Sequence, residues 1–214
     1  MVEERRPRRS PSAGGRVRDA DRTRERILDA ALVEFGENGF AGARIGAISR
    51  RAGVNQQLIS YYFDGKAGLY RELIERWCRM SARLNPPGAP IGDVVAAFVR
   101  VGAEQRHWVR LLIWQALSGE RDERERDERE RDEGDREYRR AMVDDLRARQ
   151  GSGEIDPDLD PGFLQLALFG AALAPMVLAQ FAEDFTGMSP ESPEFREAYI
   201  EQLKRLIAHL GTPT

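Results

Sequence analysis

Residues 44–66, RIGAISRRAGVNQQLISYYFDGK, constrain this chain more than any other stretch. They read as two short helices joined by an Ala-Gly-Val turn, then a sharp break and the start of a third helix. In the first helix Ile45, Ile48 and Ala52 recur at steps of three and four, which places them on one side. Gly53 can take the positive φ that a short inter-helical turn demands, and Asn55 can cap the second helix through its side-chain oxygen. Within that second helix Val54, Ile59 and Tyr62 turn inward, leaving Gln56, Gln57, Ser60 and Tyr61 outward. A short helix that exposes amides, a hydroxyl and an aromatic ring suits the reading of base edges in a major groove.

The surrounding residues extend this pattern. RERILDAALVEFGENGF from Arg24, AISRRAGV, and YYFDGKAGLY follow one another over roughly fifty residues, and together they resemble the TetR family of bacterial transcriptional regulators. The resemblance implies an all-α chain with an N-terminal three-helix helix-turn-helix domain and a helical ligand-binding and dimerisation domain. It also places Gln56, Gln57, Leu58, Ser60 and Tyr61 in the recognition-helix positions. A Gln amide can pair with adenine N6 and N7, and Leu58 can touch a thymine methyl. Tyr61 can reach a base or, through its hydroxyl, a phosphate. Lys66 opens the next helix, where its ammonium and the helix N-terminus both favour a phosphate. Two positions depart from the family pattern. Arg44 stands where Thr or Ser usually caps the first reading-unit helix, so it cannot cap in that way but can reach a phosphate directly. Ser60 stands where a Tyr is common, so an aromatic hydroxyl contact there is lost or passes to Tyr61.

Composition agrees with an all-α fold. Helix-forming Ala, Leu, Arg and Glu dominate, 41% of residues are hydrophobic, and strand-like alternation is hard to find. The net charge of −3 hides an asymmetry. Residues 1–80 hold 16 Lys and Arg against 11 Asp and Glu, a net of +5, and the remainder holds 17 against 25, a net of −8. A basic head beside an acidic remainder is the charge layout of a DNA-binding domain on a non-binding body. Cys78 is the single cysteine, so the chain forms no internal disulfide and no cysteine metal cluster. His107 and His209, the two histidines, lie far apart. With no phosphate loop, nucleophile elbow or metal-ligand spacing, neither an enzyme nor a cofactor or metal is expected. The N-terminus lacks the apolar core of a signal peptide, and no apolar stretch reaches the ~18 residues that span a bilayer. A cytoplasmic protein without membrane attachment is expected.

Residues 1–20 form a basic arm, expected disordered, whose Arg5, Arg6, Arg8, Arg9, Arg16 and Arg18 either grip phosphates or merely solubilise. Residues 21–84 form the helix-turn-helix domain, with a first helix capped by Asp21 or Thr23 that runs to Glu37 and buries Ile27, Ala30, Ala31 and Phe35. The helix starting near Lys66 carries Leu69, Leu73 and Trp77 along one face and ends before Asn85-Pro86-Pro87-Gly88. Residues 91–214 form the regulatory and dimerisation domain, with a helix break between Glu104 and His107. A charged insert at 120–137, built on RDERE repeats, holds acid-first pairs such as Glu120–Arg124, each worth about 0.2–0.5 kcal/mol. It is either a solvated helix or disordered, and either a docking handle or a tolerated repeat expansion. A helix resumes from Tyr138 to Gln150. Phe163 to Phe185 reads as one long apolar helix kinked at Pro175. The last helix, Glu194 to Leu210, presents Phe195, Tyr199, Leu203, Leu206 and Leu210.

The resemblance further implies a homodimer built on the last two helices and a small-molecule pocket between the central helices. Phe98, His107, Trp108, Trp114, Gln115, Met142, Phe169 and Met176 are the candidate pocket residues, and each can instead fill the core or an interface. Two heads ~34–36 Å apart would enter successive major grooves, so the expected partner is double-stranded DNA carrying an inverted repeat. The leading reading is a repressor released by a small-molecule effector. An activator or partner-regulated DNA-binding protein, and a helical small-molecule-binding protein without specific DNA binding, are the alternatives.

Overall fold

Helix is the only regular structure among the described residues, 13–117 and 133–211 of the computed structural model. Most of the basic arm and of the RDERE repeat lies outside them. The helices are α1 (Ala13–Gly42), α2 (Ile45–Ala52), α3 (Gln56–Phe63), α4 (Gly65–Leu84), α5 (Ile91–Glu104), α6 (Arg106–Leu117), α7 (Glu133–Gly151), α8 (Pro161–Val177), α9 (Ala179–Thr186) and α10 (Pro193–Ala208). The chain divides into two compact units, one ending at Glu72 and the other beginning at Leu73.

In the first unit, α1 buries Ile27, Leu28, Ala31 and Phe35, each at most 1% exposed. These residues recur at helical spacing, so burial of one stripe stabilises the helix by far more than its propensity does. Phe35, Phe40 and Tyr70 form an aromatic cluster, with Tyr70 edge-on to Phe35 at 5.2 Å and to Phe40 at 5.1 Å. The helix starts earlier than expected. Residues 13–20, assigned to the disordered arm, are helical, and neither Asp21 nor Thr23 is a cap. Thr23 instead donates its hydroxyl to the Asp19 carbonyl, one turn back. Once the apolar stripe nucleates the helix, each upstream residue adds a hydrogen bond without a new nucleation cost. At the other end Gly39 (φ 66°) breaks the helical path before Ala43.

In the second unit, Val94, Val95, Val99, Leu146, Ile155, Leu168, Ile200 and Ile207 form one core contributed by α5, α7, α8, α10 and the 152–160 loop. The helix break between α5 and α6 falls at Gln105, within the expected window. Arg149, 7% exposed, ties α7 to the segment before α5. It donates to Asp145 Oδ2 at 2.8 Å and Glu154 Oε2 at 2.7 Å. Its other two bonds reach the Ala89 carbonyl at 2.7 Å and Asn85 Oδ1 at 3.1 Å.

Three expectations change here. α7 begins at Glu133, upstream of Tyr138, so the end of the charged insert is helical. The apolar run from Phe163 is not one kinked helix. It breaks at Leu178 (φ −114°, ψ 41°), and α8 and α9 meet at 87°. A run apolar on every side carries no periodicity that would mark such a break. Along α10, Phe195 and Leu203 are buried and Tyr199 and Leu210 pack against the core as expected, but Leu206 is 63% exposed, and Ile200 and Ile207 complete the inward face in its place. Pro175 still leaves its mark inside α8. Lacking an N–H, it offers nothing to the Ala171 carbonyl one turn back, and Tyr199 of α10 donates its hydroxyl to that oxygen at 2.9 Å.

Candidate nucleic-acid interface

The site is built on α2, the turn and α3. Arg44 precedes α2 with an extended backbone (φ −123°) and makes no side-chain cap, as its side chain requires. Its backbone N–H donates instead to Glu34 Oε1 at 3.2 Å. Glu34 is 6% exposed, a buried carboxylate that fixes where α2 starts, and nothing in the sequence pattern singled it out. The Arg44 side chain is exposed.

Gly53 ends α2 in the left-handed region (φ 63°), which an L side chain adopts only with strain. Arg26 of α1 reaches over the turn and donates to the carbonyls of Ala52 and Gly53. Those carbonyls are among the orphan acceptors at a helix C-terminus, and a cation placed there also complements the helix dipole. Arg26 therefore positions the turn, a role the sequence did not suggest.

Asn55 caps α3 as expected, its Oδ1 accepting from the Gln57 N–H at 3.0 Å. Ile59 and Phe63 anchor the inner face of α3 at 0% and 5% exposure. Val54 and Tyr62 are half-buried, and Phe63 is an inner residue the sequence reading omitted. On the outer face Gln56, Gln57 and Ser60 are exposed, and Tyr61 is 80% exposed. Leu58 is half-buried at the edge of that face. The Tyr61 ring is steadied edge-on by Tyr62 at 5.2 Å. The 80%-exposed Tyr61 ring and the two exposed amides beside it stand open to a partner.

The junction after α3 is tight. Asp64 takes a left-handed conformation (φ 56°), and a Cβ on Gly68 would sit 1.7 Å from the Phe63 carbonyl oxygen. Only glycine lets α4 approach α3 so closely. Arg24 braces the same region. It donates two bonds to the Glu72 carboxylate, at 3.2 and 2.7 Å, and lies over the Phe63 ring at 5.1 Å. Lys66 does not stand free in solvent. Its ammonium donates to the Ala41 carbonyl at 3.2 Å and lies 4.8 Å over the Phe40 ring. Burial pushes its pKa down, and the Glu34 carboxylate partly offsets that. It is fixed at the start of α4, with donors left for an anion.

The ligand candidates of the second unit do not share one site. Phe98 and Trp108 pack against Trp77, at 6.5 and 5.5 Å between ring centroids, and Trp108 is 2% exposed. Trp114 and Phe169 face solvent at 42% and 40% exposure. Gln115 and Met142 are half-buried. His107 is half-buried, with its Nδ1 enclosed and unpartnered among the described residues. Met176 alone of the eight lines a cavity of about 140 Å³, whose wall includes Val109, Ile113, Pro175 and Phe195. Side-chain size and polarity chose the candidates, and neither reports which way a helix turns them. No group of three or more His, Cys, Asp or Glu among the described residues can hold a metal ion.

A short capped helix, held at a fixed angle by a tight turn and offering amides, a hydroxyl and a tyrosine, defines a helix-turn-helix DNA-binding protein. The model of the bacterial regulatory proteins of the tetR family matches residues 27–73, and that of the tetracyclin repressor-like C-terminal domain matches residues 91–205. The chain belongs to the TetR family and is a DNA-binding transcriptional regulator, not an enzyme. It is 32% identical over 104 residues to the HTH-type transcriptional repressor SCO4008 of Streptomyces coelicolor. That match covers 48% of this chain and 54% of the relative, so the chain spans about half of that repressor's length. It is 25% identical over 210 residues to the HTH-type transcriptional regulator RutR of Escherichia coli K12, covering 92% and 93% of the two chains. The crystal structure of SCO4942 from Streptomyces coelicolor shares the fold with a TM-score of 0.67 at 23% identity, covering 86% of this chain and 97% of that one.

Proposed function

We propose that this regulator is a cytoplasmic homodimer that represses by holding an inverted-repeat operator and is released from it by a small molecule. The observation that carries the reading is the outer face of α3, where Gln56, Gln57, Ser60 and the 80%-exposed Tyr61 stand clear of the core. Arg44, Asn55, Leu58 and Lys66 complete the proposed DNA contact set, Arg44 and Lys66 toward phosphates and Gln56, Gln57 and Leu58 toward bases. Residues 21–84 are the DNA-binding domain in this reading, and residues 91–214 the regulatory and dimerisation domain.

The partner in dimerisation is a second copy of the chain. Phe163 (77% exposed), Leu166 (67%), Phe181 (56%) and Phe185 (80%) on α8 and α9, with Leu206 (63%) on α10, are too apolar to be left to water. Among the described residues no single helix is long and apolar enough to cross a membrane. A second copy covers this surface and supplies the second head that an inverted repeat requires.

Selection of bound duplexes from a random pool, near physiological salt because phosphate contacts are salt-dependent, tests the reading. An inverted repeat whose recovery is lost in Gln57→Ala and Tyr61→Ala, with helicity unchanged, is expected. Recovery of no consensus, or of one indifferent to those substitutions, would withdraw it. A sedimentation experiment on the free chain is expected to give twice the chain mass, and a monomer at micromolar concentration would remove the dimer.

A further inference from the structure

The cavity in the second unit carries a charge pattern that its apolar wall does not explain. Three arginines, Arg106, Arg110 and Arg196, line it together with a single acid, Glu191. Glu191 is taken by Arg106 at 2.6 Å, and Arg110 has no ion pair among the described residues. Arg196 is more telling. Its Nε–H is enclosed and has no hydrogen-bond acceptor among the described residues, and the Glu197 carboxylate oxygen at 3.6 Å is beyond bonding distance. The Arg196 guanidinium lines the cavity and has only that 3.6 Å ion pair with Glu197 among the described residues. Two helix N-termini add to the positive potential: α6 begins at Arg106 and α10 follows the Ser192 cap, and both residues line the cavity.

Much of the remaining lining is apolar, formed by Val109, Ile113, Pro175, Met176 and Phe195. The volume of about 140 Å³ compares with the ~150 Å³ of a cavity that holds benzene. We infer that this cavity binds a small monocarboxylate with a compact apolar body, the carboxylate against Arg110 and Arg196 and the body against the Ile113–Met176 wall. Inorganic phosphate would meet the arginines and leave the apolar wall wet. A neutral hydrocarbon would fill the wall and leave the Arg110 guanidinium without an anion. A guanidinium meets a carboxylate through paired donors, which gives orientation as well as attraction. The inference rests on the ligand-responsive reading above and names the chemical class of its effector.

Titration calorimetry on the full chain with sodium benzoate and sodium 4-methylpentanoate tests it, with benzamide and inorganic phosphate as comparisons. Binding of a carboxylate is expected, with benzamide and phosphate each weaker by at least about tenfold. Arg110→Gln and Arg196→Gln are expected to lose about tenfold or more, while Arg205→Gln, on the exposed part of α10, binds as the parent does. If neither carboxylate binds up to ~10 mM, a range that covers affinities far weaker than typical effectors, the inference falls. It falls equally if benzamide or phosphate matches the carboxylates in the unmodified chain, a comparison that needs no variant to fold. Operator binding measured on the same preparations separates the two readings. Specific DNA binding without carboxylate binding leaves the regulator and removes this site, whereas carboxylate binding that depends on Arg110 and Arg196 without specific DNA binding does the reverse.

Discussion

The pairing of Tyr199 with the interior of α8 gives a sharp test of how this fold accommodates a proline. In a continuous α-helix the Ala171 carbonyl would receive the N–H of residue 175, but Pro175 has none. The Tyr199 hydroxyl fills that vacancy at 2.9 Å, while its ring stacks on Phe195 at 5.6 Å and 10°. Tyr199→Phe keeps the stacked ring and removes only the donor. A neutral hydrogen bond contributes about 0.5–1.5 kcal/mol net, and a lost partner costs more where water cannot replace it. Ala171 is half-buried, so a loss of about 1 kcal/mol is expected, or about 2–4 °C in Tm for a chain of this size. In a Pro175→Ala background the new N–H of residue 175 serves the carbonyl, and Tyr199→Phe is expected to cost less than about 0.5 kcal/mol. The assay is urea unfolding followed by circular dichroism at fixed chain concentration, because the midpoint of the proposed dimer would depend on concentration. Equal costs in the two backgrounds would refute the reasoning, since the tyrosine would then be stabilising something other than the proline's orphaned acceptor. The same residue sets an alkaline signature. Burial raises the Tyr199 phenol above its ordinary value near 10. Its contribution to stability is thus whole below pH ~10 and is lost as pH rises through the raised folded value. Tyr199→Phe should lack that alkaline loss.

Two further outcomes are expected. Arg149→Met removes a guanidinium that is 7% exposed and leaves Asp145 and Glu154 facing each other uncompensated. A loss of about 2–4 kcal/mol is expected in the same unfolding assay, tempered by the partial exposure of both acids; a loss under ~1 kcal/mol would mean the network is decorative. Asn55→Ala removes the α3 cap and should cost about 1 kcal/mol together with operator affinity, while Asn55→Asp, which retains the accepting oxygen, should keep the stability but weaken DNA binding by charge repulsion. A stable Asn55→Ala chain with full affinity would show that α3 is held by its inner face alone.

Much of the reading unit was legible because its signals are local. Gly53 is the residue type that a left-handed helix end selects, Asn55 is a capping residue at a capping position, and the spacing of Ile45, Ile48 and Ala52 follows the helical period. Each can be judged from a few neighbours in sequence. What escaped was long-range. Arg26 clasps the turn from 26 residues upstream of Ala52, Glu34 fixes Arg44, and Gly68 matters because Phe63 lies against it.

The second unit shows the same division more strongly. The sequence by itself determined that the chain is helical, that its reading helix exposes amides and a tyrosine, and that its head is basic. Tertiary structure decided that α8 and α9 part at Leu178, that Leu206 faces out while Ile207 faces in, and that Arg106, Arg110 and Arg196 gather at one cavity. Hydrophobic periodicity reports that a helix has an inner face, because burial free energy scales with apolar area along one stripe. It carries no record of which neighbour that face meets, or of which charges two separate helices bring together, because those are fixed only when every element packs at once.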